Sequence, residues 1–427
     1  MKNMWNWFLQ QSKQTQRELV LLIVFAGAFI LGQLGRIAYA PIGVFYPHDF
    51  LILLWLLFHY RSVIKIIRNV IRWLPQHPLV VTTVIWVALG LIWGNLHRLE
   101  LRALLLLSRV LIYTLFAASV CDYFRDHRLY LRGALILIGN IMLWLALLQY
   151  LFIPDTRFLS ILGWDDHYYR LIGTLFDPNF MGMLIVLTMI YTASVHWLVP
   201  KKAQVLIQSY YAALLALTYS RASYLTASMA GFLLMCTPYP LKGWHSWQRL
   251  SLVVVAALTF SVVLVVAPKP GGEGVKLLRT SSIVARQNTA SQTFQNLSTT
   301  DLILGKGLFT DPLQVSDSVG EIVIPQHAQV PDNILLLLLS GTGVVGTILV
   351  LASVIYWVGQ LAQKETALAI AVAATLLHAQ FNNTFFEPFI FLFLLLAVLS
   401  PLEQTTLLHS NKKHFRSNKR KIVQVSK

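Results

Sequence analysis

Charge is what this sequence has least of. Asp, Glu, Lys and Arg make up 12% of its 427 residues, and the acids are the scarcer sign, 18 against 34 basic residues. A soluble globular domain carries about 25% charged residues, so a water-exposed surface of ordinary size is excluded. Cysteine is nearly absent as well. Cys121 and Cys236 are the only two, each at the end of an apolar run, which excludes a disulfide framework. Residue types that ligate metals do not cluster: Asp165 and Asp166 are adjacent but lack further ligands at suitable spacing, and they read as loop surface. Neither a metal nor a cofactor is expected. Behind the first apolar run there is no small-residue cleavage site, so that run is expected to be a retained span and not a signal peptide.

What the sequence has in abundance is apolar length. Hydrophobic residues account for 56% of the chain, and the mean hydropathy is +0.63. A helix needs about 20 apolar residues to cross the hydrocarbon. About twelve such runs fit: 19–38, 50–67, 79–94, 101–121, 131–153, 180–199, 205–219, 222–237, 250–267, 334–358, 366–381 and 384–402. The expected fold is an all-α polytopic membrane protein with about twelve transmembrane helices and one large extracytoplasmic loop. A net charge of +16 would suggest nucleic acid in a soluble protein. Here its placement gives topology instead. With the N-terminus inside, the cytoplasmic side collects most of the basic residues and only five acids, Glu18, Asp122, Asp126, Glu365 and Glu403, so both termini are expected in the cytoplasm. Residues 1–18 are then a cytoplasmic N-terminus, 19–267 nine spans, 268–331 the outer loop, 332–402 three more spans, and 403–427 a basic cytoplasmic tail. The partner this implies is a lipid bilayer, with no nucleic acid.

Within the outer loop, Ile283, Ala290, Phe294 and Leu297 recur so that 282–297 reads as an amphipathic helix lying along a surface. Lys276, Arg279 and Arg286 are cationic, and the seven-residue spacing of the two arginines puts them on one helical face. Gly305-Lys306-Gly307 reads as a turn leading back to the bilayer. Loops of this length are commonly functional.

Three outer-face span starts carry polar residues: Asp177-Pro178-Asn179, Ser220-Arg221-Ala222-Ser223 and Pro331-Asp332-Asn333. Helix N-termini aim free N–H groups and positive dipole at whatever lies above them, which suits a phosphate or pyrophosphate. Arg170, Arg221, Arg279 and Arg286 add cations on the same face, and Asn179 and Asn333 add amides. Ordinary capping is the competing reading, since Asp, Asn and Ser are favoured N-caps and Pro is favoured in the first turn. For Asp332 three roles stay open: general base, anchor for a sugar hydroxyl, and N-cap. A carboxylate at a helix N-terminus is held as the anion and is a weak base, so His327 is a rival, against the plainer reading of a loop surface histidine. His378, Asn382, Asn383 and Glu387 flank the outer turn between the last two spans, where helix packing explains them as well as function does.

Four stretches together resemble a known family. Arg170-Leu171-Ile172-Gly173-Thr174-Leu175-Phe176-Asp177-Pro178-Asn179 enters one span and Leu217-Thr218-Tyr219-Ser220-Arg221-Ala222 ends the next hairpin. Ala285-Arg286 is followed by Ile303-Leu304-Gly305-Lys306-Gly307. Asp332-Asn333 closes the loop with Gly343 and Gly346 downstream. Their order and spacing, from Arg170 to Pro401, are similar to the O-antigen ligase and polysaccharide polymerase superfamily. The resemblance implies a C-type membrane glycosyltransferase fold, multi-pass in the cytoplasmic membrane, with its active site facing the periplasm or cell exterior. It implies a polyprenyl-pyrophosphate-linked glycan as donor, a glycan or lipid-glycan as acceptor, and Arg221 and Arg286 on the pyrophosphate, in an inverting, metal-independent transfer. The ligases usually carry His-Asn at the loop end, and Asp332-Asn333 is nearer the polymerases. A transferase using polyprenyl-monophosphate sugars would resemble its relatives in an acidic pair in the first outer loop, where this chain has only Asp49. The alternative from another class is a transporter or flippase of lipid-linked glycan, which the long outer loop and a reading with no charge deep in the spans argue against.

Overall fold

The computed structural model describes residues 12–39, 43–98, 101–237, 241, 243–269, 274–278, 280–309, 315–316, 322–323 and 333–401. Asp332, His327 and Arg279 lie outside them. Helix α1 (Lys13–Ile30) starts at Ser12, whose hydroxyl accepts a hydrogen bond from Thr15 N at 3.1 Å. It stops well short of the expected end at Ala38. Gly32 turns to φ +58°, pressed so close to the Thr174 carbonyl that a Cβ would lie 2.3 Å from it, and a 3-10 turn and a hairpin, β1 (Ile37–Tyr39) with β2 (Gly43–Phe45), follow.

The second expected span is bent. α2 (Pro47–Phe58) and α3 (Tyr60–Trp73) meet at His59 with an 84° bend. From Arg61 onward cations recur every three or four residues, and hydrocarbon does not accept such a stripe. The chain continues through α4 (Pro78–Arg98), α5 (Leu101–Tyr123), α6 (Arg128–Phe152), α7 (Pro178–Ser194), α8 (Lys201–Thr218), α9 (Arg221–Cys236) and α10 (Ser246–Val266). Next come α11 (Ser281–Gln295) and α12 (Thr299–Leu304), a short hairpin of β3 (Val315–Ser316) with β4 (Ile322–Val323), and then α13 (Ile334–Lys364), α14 (Thr366–His378) and α15 (Pro388–Val398).

Among the described residues four helices are long and apolar enough to cross a membrane, within α5, α6, α10 and α13, or five if the bent pair α2 and α3 counts as one span. α4, α7, α14 and α15 are shorter apolar helices. This is a helical membrane protein. α7 is buried on all sides, as a helix apolar all round must be, and with α14 and α15 it forms the centre of the core. α10 lies at the other extreme: Leu258, Val262 and Val265 are all more than half exposed, which suits a helix facing lipid.

α13 is kinked at Gly343, with φ +66° and ψ −179°. A kink frees backbone carbonyls that must find donors elsewhere. Ser340 O accepts from Lys306 N at 2.8 Å, Gly341 O from Gly307 N at 3.0 Å, and Thr342 O from the Trp86 indole at 3.0 Å. The Gly305-Lys306-Gly307 turn therefore docks into the break in α13, and α12 packs beside it.

Arg109 corrects the reading that no charge lies deep in a span, and Arg132, near the start of α6, is buried where a solvated residue is expected. Arg109 of α5 pairs with Asp49 at 3.0 Å. Arg132 of α6, fully buried, meets Glu365 at 2.8 and 3.2 Å and donates to Ser194 Oγ at 2.6 Å. Arg132 and Glu365 are thus a buried structural pair, not solvated topology signals.

Candidate functional site

The starts of α7, α9, α13 and α15 come together at one end of the bundle with the ends of α8 and α14. Each start is capped by its own sequence. Asp177 Oδ1 accepts from Asn179 N at 2.6 Å and Phe180 N at 3.1 Å, and Pro178 sits in the first turn. Ser220 Oγ accepts from Ser223 N at 3.3 Å. Asn333 Oδ1 accepts from Leu335 N at 2.8 Å and Leu336 N at 3.1 Å. Glu387 accepts from Ile390 N at 2.8 Å. These are the donors that helix starts leave open. The cap of α13 is Asn333 and not Asp332, which directly precedes it in sequence and lies outside the described residues.

From these caps a chain of hydroxyls runs inward. Ser220 Oγ donates to Asn179 Oδ1 at 2.8 Å and lies 2.8 Å from Ser223 Oγ. Ser223 Oγ is 3.0 Å from His378 Nε2, and His378 Nδ1 is 2.6 Å from Thr384 Oγ1. Ser220, Ser223, His378 and Thr384 are all fully buried. Thr384 Oγ1 is also 3.0 Å from the Asn382 carbonyl, and the ring nitrogen that carries the His378 proton is set by which of these contacts the Thr384 hydroxyl donates to. The link joins α9 to the α14–α15 turn across the middle of the site.

Arg286 on α11 donates through Nε to the Phe381 carbonyl of that same turn, 2.9 Å away. Immediately after Phe381, Asn382 Nδ2 and both side-chain polar atoms of Asn383 are buried with no partner in the protein. Buried polar atoms are nearly always paired, so these three orphans, in the residues that follow the carbonyl held by Arg286, make the turn a candidate place for a polar ligand. Arg221, the first residue of α9, donates from Nη1 to Leu277 O at 3.2 Å. Arg170 takes a different position. Its buried guanidinium donates to the carbonyls of Thr218 at 3.0 Å and Tyr219 at 3.4 Å, closing the end of α8, the favoured place for a cation. Burial pushes the Asp177 carboxyl up from its ordinary value, against the pull of its two backbone donors and of Arg170.

Between α11 and α13 lies a cavity of about 320 Å³. Arg286, Asn333 and Gln380 form its polar end, and Ala290, Phe294, Leu336 and Leu339 its apolar wall. Asn333 Nδ2 also donates to Gln380 O at 3.0 Å, tying the end of the loop to the α14–α15 turn. Arg286 and Asn333 therefore both bond the α14–α15 turn, Asn179 meets Ser220 and Ser223 at the start of α9, and Arg221 reaches the Leu277 carbonyl instead. The expected helical face shared by Arg279 and Arg286 involves a residue, Arg279, outside the described ones; α11 begins at Ser281.

Sequence reasoning missed the Ser223–His378–Thr384 link. Its only trace in sequence is a first-turn serine pair, Ser220 and Ser223, and a lone histidine ending an apolar run. Compared with known proteins, the chain matches no family model and no curated protein sequence.

Proposed function

We propose that the chain is a membrane glycosyltransferase of the O-antigen ligase and polysaccharide polymerase type. It moves a polyprenyl-pyrophosphate-linked glycan onto an acceptor hydroxyl at the outer face of the cytoplasmic membrane, through about twelve spans of a C-type glycosyltransferase fold. The observation that carries the reading is Arg286, which donates to the Phe381 carbonyl of the α14–α15 turn and, with Asn333 and Gln380, lines the polar end of a cavity whose wall is apolar. That combination suits a ligand with an anionic centre, sugar hydroxyls on one side and an isoprenoid chain on the other.

The chemistry follows from charge. As the acceptor hydroxyl attacks the anomeric carbon, the bond to the pyrophosphate breaks and its electron pair leaves with the pyrophosphate. Arg221 and Arg286 offer forked, permanently charged donors to that developing charge. The hydroxyl proton goes to a base, and a single displacement inverts the anomeric centre. Asp332, bonded directly to the tethered Asn333, is the base in this reading, with His327 the rival. Asn179, Asn382 and Asn383 hold sugar hydroxyls. The closing experiment mixes purified protein with native lipid-linked oligosaccharide and separates products by size. A ladder identifies a polymerase and one transferred block a ligase. Unchanged chemistry with altered sidedness identifies a flippase and overturns the proposal.

A further inference from the structure

At the end of the bundle opposite this site, α3 leaves the core at the 84° bend and presents three faces. Ser62, Val63, Ile66 and Trp73 are half-buried against the body of the protein, and Ser62 Oγ donates to Asp122 at the end of α5, 3.3 Å away. Ile64, Ile67 and Ile71, at i, i+3 and i+7, form an apolar stripe exposed by 40 to 61%. Beside it Arg61, Lys65, Arg68 and Arg72, at i, i+4, i+7 and i+11, are all exposed, and the helix carries no acid. Water does not favour the isoleucine stripe and hydrocarbon does not favour four cations. A helix with both is stable only in the plane of the bilayer, with its apolar stripe at the acyl boundary and its cations level with the phosphates.

The continuation of α3 lines a second cavity, about 600 Å³, between the end of α3, the start of α6 and the end of α13. Trp73, His77, Tyr356 and Trp357 supply aromatic walls and Arg128 and Lys364 supply cations. Trp and Tyr belong at the depth of the headgroups. The cavity therefore continues the same surface at the same depth.

We propose that α3 and this cavity form a binding site for anionic phospholipid. A glycerophosphate headgroup enters the cavity, further anionic headgroups line the Arg61–Arg72 stripe, and acyl chains cover Ile64, Ile67 and Ile71. The site is independent of the transferase reading, since it lies at the other end of the bundle and uses none of its residues.

The test uses the full-length protein in phosphatidylcholine nanodiscs carrying a trace of spin-labelled phosphatidylglycerol or spin-labelled phosphatidylcholine. The motionally restricted fraction is read by electron paramagnetic resonance. Wild type is expected to restrict phosphatidylglycerol about fivefold over phosphatidylcholine, in a salt-sensitive way. The combined variant Arg61→Gln, Lys65→Gln, Arg68→Gln and Arg72→Gln should lose that preference, while Arg61→Lys, Arg68→Lys and Arg72→Lys together should keep it. Equal restriction of the two lipids by wild type, or an undiminished preference in the Gln variant, overturns the proposal. Should the Gln variant not fold, labels at Ile67→Cys and Arg68→Cys in a Cys236→Ser background decide it. Position 67 should be accessible to oxygen and position 68 to a water-soluble nickel complex. Water exposure of both removes α3 from the bilayer and the proposal with it.

Discussion

Gly343→Ala is the most exacting perturbation this architecture offers. At φ +66° and ψ −179° the residue occupies a region essentially restricted to glycine, where a side chain costs about 1–3 kcal/mol. A Cβ would also lie 2.1 Å from the Ile303 carbonyl oxygen and 2.4 Å from its carbon. Those atoms are backbone and cannot rotate aside, so α12 must move, and overpacking of this kind costs about 1–3 kcal/mol more. The combined loss is about 2–6 kcal/mol. Gly359→Ala in the same helix is the control, because nothing lies within 4 Å of its added Cβ, and replacing a helical glycine is neutral or stabilising by up to about 1 kcal/mol. Thermal unfolding of the purified protein in detergent, followed through tryptophan fluorescence, compares the two. Gly343→Ala should unfold several degrees lower than wild type. It should also lose transfer activity, because the Gly305-Lys306-Gly307 turn is held on the carbonyls of this kink. If the two variants unfold together, the docking of the turn into α13 is wrong.

Other substitutions separate the roles within the site. Arg221→Ala and Arg286→Ala each remove a charge-assisted contact of about 1.5–3 kcal/mol, so donor transfer should fall about ten- to hundredfold, and Arg286→Lys should recover only part because its single ammonium replaces a fork. Wild-type rates in all three would separate these arginines from the donor. Asp332→Asn should fold and bind donor yet transfer little glycan, whereas His327→Gln stays active; the reverse pattern moves the base to His327. Transfer should survive a chelator because arginine meets the leaving-group charge, and abolition by EDTA with recovery on Mg²⁺ or Mn²⁺ would sink the arginine mechanism.

Helix positions were legible in sequence wherever apolar length, a cap and proline agreed, as at Asp177-Pro178 and Ser220. Legibility failed where backbone conformation or long-range pairing decided. The run 50–67 contains enough apolar residues to suggest a span, yet it breaks at His59, since the cations from Arg61 onward demand the interface. α1 ends early because of one contact, Gly32 against Thr174, between residues far apart in sequence. Arg132 carried the same cationic label as the tail residues, although Glu365, 233 positions away, makes it a core residue. Among the candidate site residues, spacing singled out Asn179, Arg221, Arg286 and Asn333, because each sits at a helix start or on a periodic face. The Ser223–His378 contact spans 155 positions and leaves no local pattern.

Backbone strain gives the same site a second, independent outline. Among the described residues four non-glycine residues have clearly positive φ: Tyr169, Phe176, Tyr219 and Phe309. All are bulky aromatics, for which the left-handed region is a genuine outlier. Three of them immediately precede Arg170, Asp177 and Ser220, the residues that close α8 and open α7 and α9. Such strain persists only where surrounding packing over-determines it, and it concentrates at functional sites. The fixing force is visible at Tyr219, which is fully buried against Ala267 and Val275. Tyr219→Gly, then, relieves the conformation but removes the anchor. A site aimed by these turns loses its geometry when the aromatic goes, even though the backbone itself relaxes.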